Sequence, residues 1–187
     1  MVLRNRKLER SDLGIKGDKI QEVGDLSRAE ADFTIDASGK YISPGFVDLT
    51  NHSDTHWTIF TAPRQRSLLF QGITTILGGN CGASLAPLVN AQDIEGIQKW
   101  TKDAALNINW HTVEEFFEEL SKHSLGVNFA TLVGHGTLRR GILGEAARPL
   151  NRTEIEEVSF LFKESLRQGA FGLSTSLAAA HAKHTTS

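Results

Sequence analysis

Residues Ile73–Gly82, with the sequence ITTILGGNCG, join a short apolar run to a glycine-rich turn that carries an asparagine and a cysteine. Short runs of apolar or β-branched residues are typical of strands that are buried on both faces. Three further runs have this character, at 45–50, 127–133 and 170–175. Because helical patterns separate the runs, the sequence predicts an α/β fold in which parallel strands are connected by crossover helices.

The predicted helices are recognised by apolar periodicity and by their N-terminal residues. A capping box, in which Ser or Thr is followed three residues later by Glu, is expected at Thr112 with Glu115 and at Thr153 with Glu156. The four helices are predicted over 63–70, 92–103, 112–122 and 153–168.

The first part of the chain has a different pattern. Alternating segments at 12–16 and 19–23 flank the dipeptide Gly17-Asp18, which is typical of a β-hairpin turn. A further short strand is predicted at 33–36. We therefore expect a small β domain over 1–44, followed by an α/β domain over 45–187.

The composition is that of an ordinary globular domain: 187 residues, 40% hydrophobic, 22% charged, with a net charge of −2. The charge balance gives no reason to expect a nucleic-acid partner, and no apolar stretch approaches the roughly 18 residues of a membrane span. The single cysteine excludes an internal disulfide framework, and no signal peptide is visible. These features predict a cytoplasmic protein.

Polar residues follow each of the four apolar runs. They lie at 50–56, 78–82, 134–137 and 174–176. The carboxyl ends of parallel strands meet on one face of a (β/α) barrel, and that face carries the active site. The sequence therefore predicts a functional site formed by these four segments.

Three residues after the first run alternate in a way that places them on one face of an extended chain: His52, Asp54 and His56. Imidazole nitrogens and carboxylate oxygens are suitable ligands for a divalent metal such as zinc. An exposed polar loop with incidental histidines is the alternative interpretation.

Cys81 admits three interpretations from the residues alone: a metal ligand, a buried core thiol and a covalent nucleophile. Its glycine neighbours let the backbone approach a ligand closely, and a thiolate binds metal well. A nucleophile needs an adjacent general base, which no neighbour in the sequence supplies. His135, between two glycines, is expected either to contact a substrate or to cap a helix. His181 and His184 are expected to be surface residues.

Four stretches make the sequence resemble the N-acyl-D-amino-acid deacylase (D-aminoacylase) branch of the metal-dependent amidohydrolase superfamily. They are ISPGFVD at 42–48, QGITTILGGNCG at 71–82, LVGHGTLR at 132–139 and GAFGLST at 169–175. The resemblance covers nearly the whole chain. The NCG and GHGTLR motifs are fairly specific to this branch, whereas PGFVD is shared more widely among amidohydrolases.

The resemblance implies a (β/α)8 barrel of the TIM type with a small β-sandwich, zinc at the barrel mouth, and hydrolysis of N-acylated D-amino acids. It implies that His52 is the second histidine of a His-x-His ligand pair and that Cys81 is the cysteine ligand. The catalytic aspartate and two further histidines of the family come from later strands, so that aspartate is expected beyond Ser187. Four residues are candidates to contact substrate or to orient the ligands: Asn51, Asp54, Asn80 and His135.

Two departures from the family pattern affect the expected site. Thr50 stands where the first histidine of the pair is expected, which weakens a second metal site, and alanines at 178–180 replace a substrate-side tyrosine of many relatives. A (β/α)8 barrel alone takes about 250 residues, so this chain is expected to be a fragment with about the first four strands, inactive alone. The alternatives are a cyclic-amide hydrolase of the dihydroorotase or hydantoinase kind, or a non-catalytic truncated chain that self-associates through its open barrel edge.

Overall fold

The computed structural model describes residues 2–4, 7–90, 108–144, 146–176 and 178–179. The chain divides into two compact units, Met1–Gly45 and Phe46–Ser187. Each unit has its own strands, and the site residues predicted above all lie in the second unit. The predicted helix over 92–103 lies outside the described residues, as do His181 and His184.

The first unit is built from two antiparallel strand pairs. Strands β1 (Val2–Arg4) and β2 (Lys7–Glu9) form one pair, and β3 (Asp12–Lys16) and β4 (Lys19–Gly24) form the other. Gly17 has φ +63° in the turn between β3 and β4, a conformation that glycine adopts without strain. The hairpin predicted around this residue is therefore confirmed.

The strand predicted at 33–36 is wrong. These residues have no regular structure, and Phe33 and Ile35 are exposed by 80% and 76%. None of the described strands pairs with them, and a strand without a partner leaves its backbone groups to water.

The second unit contains parallel strands at all four predicted positions. Strands β5, β6 and β7 form one parallel sheet in that order, and β8 pairs with β9 in parallel in another. Their bounds are Phe46–Asp48 for β5, Ile73–Gly78 for β6, Asn128–Thr131 for β7, Val133–Gly134 for β8 and Leu173–Ser174 for β9. The α/β architecture with parallel strands is thus confirmed.

The prediction that the strands are buried on both faces is wrong for β5. Phe46 and Val47 are exposed by 61% and 57%, and β5 is an edge strand that pairs only with β6 among the described strands. Ile76 in β6, by contrast, is fully buried. It occupies the middle of the sheet between β5 and β7.

Five helices are described. They are α1 (Thr58–Thr61), α2 (Arg66–Leu69), α3 (Val113–Ser121), α4 (His135–Leu143) and α5 (Arg152–Arg167). The capping box of Thr112 with Glu115 is present at the start of α3, as predicted. The helix predicted over 63–70 is confined to α2. None of these described helices is long and apolar enough to cross a membrane.

The capping residue of helix α5 lies two residues earlier than predicted, at Asn151 instead of Thr153. Its capping box joins Asn151 to Glu154, with Asn151 Oδ1 accepting the Glu154 N–H at 3.0 Å and Glu154 Oε2 accepting the Asn151 N–H at 2.8 Å. Thr153 lies inside the first turn. The predicted box of Thr153 with Glu156 is therefore wrong.

Aromatic side chains form much of the core that supports the sheet. The rings of Phe60 and Trp110 stack with centroids 5.5 Å apart, and Phe116 packs against both. The Trp110 indole N–H donates to the Leu85 carbonyl oxygen at 2.7 Å, which satisfies the polar atom of this buried ring. This core fixes the segment that follows the Gly79–Gly82 turn.

Candidate metal site

The predicted ligands His52 and Cys81 lie together at the carboxyl ends of β5 and β6. His52 Nε2 is 3.8 Å from Cys81 Sγ. His52 is half-buried and Cys81 is exposed, so the interpretation of Cys81 as a buried core thiol is wrong. The pair faces a surface that a ligand can reach.

The separation of these two atoms fits a shared metal ion. With a Zn–S distance near 2.3 Å and a Zn–N distance near 2.1 Å, a tetrahedral angle places the two ligand atoms about 3.6 Å apart. The observed separation of 3.8 Å is close to this value. An imidazole nitrogen and a thiolate sulfur are also a donor set that zinc accepts.

Among the residues that the structure describes, no group of three or more His, Cys, Asp or Glu side chains is arranged to hold a metal ion. A metal held by His52 and Cys81 would therefore need further ligands besides these two side chains. A tetrahedral zinc needs four ligands, including any water.

Asn51 and Asn80 hold the backbone on either side of the pair. Asn51 Nδ2 donates to Asp48 Oδ2 at 2.8 Å, and its Oδ1 accepts the Ser53 N–H at 2.9 Å. Asn80 Nδ2 donates to the carbonyl oxygens of Asn51 at 3.1 Å and of Leu77 at 2.6 Å. Both side chains are buried, and these bonds tie the His52 loop to the Cys81 turn.

Asp54 is also an anchor of the backbone. It is fully buried, its Oδ2 accepts the Gly79 N–H at 2.6 Å, and its Oδ1 accepts the Thr55 N–H at 2.8 Å. Burial raises the pKa of this carboxyl, and the two N–H donors and nearby His52 oppose the shift. The carboxylate thus joins the His52 loop to the end of β6.

The Gly79–Gly82 turn has an unusual backbone. Gly79, Cys81 and Gly82 have φ of +72°, +56° and +76°. For a residue with a side chain, the left-handed conformation costs roughly 1–2 kcal/mol, so Cys81 adopts it only because its surroundings impose it. A Cβ at Gly79 would overlap the Leu132 carbonyl group, which leaves no room for a side chain there.

Hydroxyl groups that sequence reasoning missed hold this turn against its neighbours. Ser84 Oγ accepts the Gly134 N–H at 2.9 Å and donates to the Ala86 carbonyl oxygen at 2.7 Å, while Thr137 Oγ1 accepts the Ser84 N–H at 2.9 Å. Ser174 Oγ accepts the Gly82 N–H at 3.0 Å. Ser174 belonged to a predicted polar segment, but no pattern in the sequence assigned it a partner.

His135 is the first residue of α4 and makes a separate contact. Its Nδ1 lies 3.4 Å from Thr175 Oγ1, which joins the polar segments that follow β8 and β9. Burial and the neighbouring Arg139 charge lower the pKa of this imidazole. His135 therefore favours the neutral form at neutral pH.

No protein-family model matches the chain, but individual proteins do. The D-aminoacylase of Alcaligenes xylosoxydans xylosoxydans is 35% identical over 169 residues, which are 89% of this chain and 34% of that protein. The chain thus spans about a third of the length of this curated relative.

Solved structures of D-aminoacylase and of a related deacylase also match the chain. The crystal structure of D-aminoacylase, described as defining a novel subset of amidohydrolases, matches with a TM-score of 0.84 and 33% identity over 95% of this chain and 37% of that one. N-acyl-D-glutamate deacylase from Bordetella bronchiseptica, complexed with zinc and a phosphonate mimic of the tetrahedral intermediate, matches with a TM-score of 0.77 and 31% identity. That match covers 90% of this chain and 35% of the deacylase chain.

The match to cyclic-amide hydrolases is much shorter. The dihydroorotase of Bacillus licheniformis is 43% identical over only 49 residues, or 26% of this chain and 11% of that enzyme. The long matches in sequence include D-aminoacylase and N-acyl-D-glutamate deacylase, and solved structures of both kinds of enzyme match the fold. The chain is therefore similar over most of its length to D-aminoacylase and to N-acyl-D-glutamate deacylase, and it spans about a third of the length of each.

Proposed function

We propose that His52 and Cys81 are two ligands of a divalent metal, zinc by their chemistry, in a deacylase of N-acyl-D-amino acids. The observation that carries the proposal is the 3.8 Å separation of His52 Nε2 and Cys81 Sγ on an accessible surface. In this proposal, residues 45–187 are about the first four strands of a (β/α)8 barrel, and residues 1–44 are part of a small β-sandwich domain.

The proposed reaction is hydrolysis of the linear amide C–N bond of an N-acyl amino acid. Zinc held by His52 and Cys81 would supply a Lewis acid that polarises the scissile carbonyl and lowers the pKa of a bound water to about 7. The residues of this chain would hold the metal ion and orient its ligands. Cys81 and His52 would bind the metal ion. Asn51 and Asn80 hold the two ligand loops together through hydrogen bonds, and Asp54 accepts the N–H of Gly79, two residues before Cys81.

The proton that the leaving amine needs must come from outside the pair. Asp54 is unsuited to this role because both of its oxygens accept backbone N–H groups and the side chain is fully buried. We assign the proton transfer to a carboxylate other than Asp54.

Metal analysis of the whole protein tests the ligand assignment. We expect Cys81→Ser and His52→Asn each to lower zinc affinity roughly tenfold or more and to abolish release of free amino acid from N-acetyl-D-amino acids. His56→Asn, four residues along the same loop and exposed, is the matched control and should keep its zinc. Wild-type zinc content in both ligand variants would refute the assignment.

A second candidate function rests on the edge of β5. Phe46 and Val47 are exposed there, and an exposed apolar edge strand favours pairing with another chain. A non-catalytic, self-associating role predicts concentration-dependent sedimentation of the 187-residue chain and no amide hydrolysis by the whole protein. Activity of the whole protein would exclude this alternative.

A further inference from the structure

The Gly79–Gly82 turn needs support from outside itself. Three of its four residues have positive φ, and the only one of these three with a side chain is the proposed ligand Cys81. On one side, Asn80 fastens the turn to Asn51 and Leu77. The direction of the Cys81 thiol then depends on what holds the other side.

Two groups hold that side: the Thr137 N–H, which donates to the Gly82 carbonyl oxygen at 3.2 Å, and the hydroxyl of Ser174 at the end of β9. Its Oγ accepts the Gly82 N–H at 3.0 Å and donates to the Gly79 carbonyl oxygen. One oxygen atom thus bridges the first and last residues of the turn. The two backbones also lie close together here, since a Cβ at Gly82 would lie 3.1 Å from the Ser176 nitrogen.

We propose that Ser174 is the positioning residue of the metal site: its hydroxyl closes the Gly79–Gly82 turn and so sets the Cys81 thiol against His52. This inference rests on the proposed function for the metal and on the geometry for the turn. Ser174 itself does not ligate, since its hydroxyl is already used by two backbone groups.

The experiment compares variants that differ in the hydroxyl alone. Thr and Val have the same shape, and both suit a strand, so Ser174→Thr keeps the hydroxyl and Ser174→Val removes it at equal bulk. Ser174→Ala removes the hydroxyl without added bulk. Ser159→Ala, which deletes an exposed hydroxyl on α5, is the remote control.

Two readouts are taken on the whole protein. Amide hydrogen exchange of the metal-free protein monitors the Gly82 N–H, and Co²⁺ titration monitors the thiolate-to-metal charge-transfer band and the affinity. We expect Ser174→Val and Ser174→Ala to speed exchange at Gly82 and to weaken Co²⁺ binding roughly 10- to 100-fold with a changed band. Ser174→Thr and Ser159→Ala should resemble the wild type in both.

The outcomes separate this inference from the proposed function. Unchanged Gly82 exchange in Ser174→Val overturns the inference, and so does faster exchange with wild-type Co²⁺ affinity and band. If Cys81→Ser retains the full Co²⁺ affinity of the wild type, the metal assignment to Cys81 fails and the positioning role falls with it. In that case, Gly82 exchange still decides whether Ser174 closes the turn.

Discussion

Asp54 and Gly79, 25 residues apart, are joined by a buried hydrogen bond of 2.6 Å from the Gly79 N–H to Asp54 Oδ2. The bond connects the loop that carries His52 to the turn that carries Cys81. A Cβ at the adjacent Gly78 would lie 2.8 Å from the same oxygen, so the carboxylate is tightly enclosed as well as bonded. The relative position of the two proposed ligands thus depends on this contact.

Replacing Asp54 by asparagine tests the contact. Asp54→Asn keeps the shape of the side chain but turns an N–H group toward one of the two backbone donors, which leaves that donor unsatisfied. We expect the free energy of unfolding to fall by about 1–3 kcal/mol, measured by urea denaturation of the metal-free protein. Asp36→Asn, at an exposed carboxylate that accepts the Ser38 N–H, should change it by less than about 0.5 kcal/mol. Equal effects would contradict the anchoring role.

Gly79 offers a test of close packing at the end of β6. Gly79→Ala adds a Cβ that overlaps the Leu132 carbonyl group at a positive φ, whereas Gly144→Ala also falls at a positive φ but meets no atom within 4 Å. We expect Gly79→Ala to destabilise the protein by about 1–3 kcal/mol more than Gly144→Ala in denaturant unfolding. Equal costs would mean that the turn relaxes freely.

The left-handed backbone at Cys81 predicts an unusual order of stability. In the metal-free protein, Cys81→Gly should be more stable than Cys81→Ala by about 1 kcal/mol, because glycine adopts φ +56° without strain. Both variants lose the thiol, so the comparison isolates the backbone. Thermal melts in the presence of a chelator measure the difference, and a more stable alanine variant would contradict the strained geometry.

The start of α5 distinguishes two capping residues. Asn151→Ala removes the cap and should cost about 0.5–2 kcal/mol of unfolding free energy. Thr153→Ala, inside the first turn and exposed, should change it by less than about 0.5 kcal/mol. The reverse order in denaturant unfolding would place the helix start at the later capping box.

Glu154 makes the stability of the same helix end depend on pH. The guanidinium of Arg148, together with the Asn151 N–H, lowers the pKa of this carboxyl from 4.5 to about 2. Because the folded-state pKa lies below the unfolded value, the stabilisation is complete above the ordinary pKa and is lost as the pH falls toward 2. Glu154→Gln and Arg148→Gln should therefore each flatten the acid side of a plot of melting temperature against pH. An unchanged acid slope in both variants would contradict the ion pair.

Local patterns predicted the parts of the fold that local interactions determine. The hairpin was predictable because its turn needs a positive φ, which Gly17 adopts readily. The start of α3 was predictable from the capping box of Thr112 with Glu115. The start of α5 was misplaced because Asn151 with Glu154 satisfies the same pattern as the pair two residues later. Only the geometry of the chain before the helix chooses between them. The exposure of Phe46 depends on which elements cover β5, which no local pattern contains.

In the candidate site, too, some features were predictable from the sequence and others depend on the three-dimensional fold. The sequence predicted a site from the polar segments that follow the strands, and the family resemblance implied His52 and Cys81 as its ligands. The structure places His52 Nε2 3.8 Å from Cys81 Sγ. It did not predict that Asp54 would bond to Gly79 or that Ser174 would bond to Gly82. Those contacts join segments 25 and 92 residues apart, and their partners are backbone groups that leave no mark on the amino-acid pattern.

The distance along the chain between Gly82 and Ser174 also governs when the turn is completed. At a translation rate of roughly 5–20 residues per second, the 92 residues between them take about 5–20 seconds to synthesise. During that interval the turn that carries Cys81 lacks the hydroxyl bridge of Ser174, although the Thr137 N–H can already donate to the Gly82 carbonyl oxygen. The last contacts of the turn therefore await the synthesis of β9, and a nascent chain stalled before residue 174 would lack the bridge between Gly79 and Gly82.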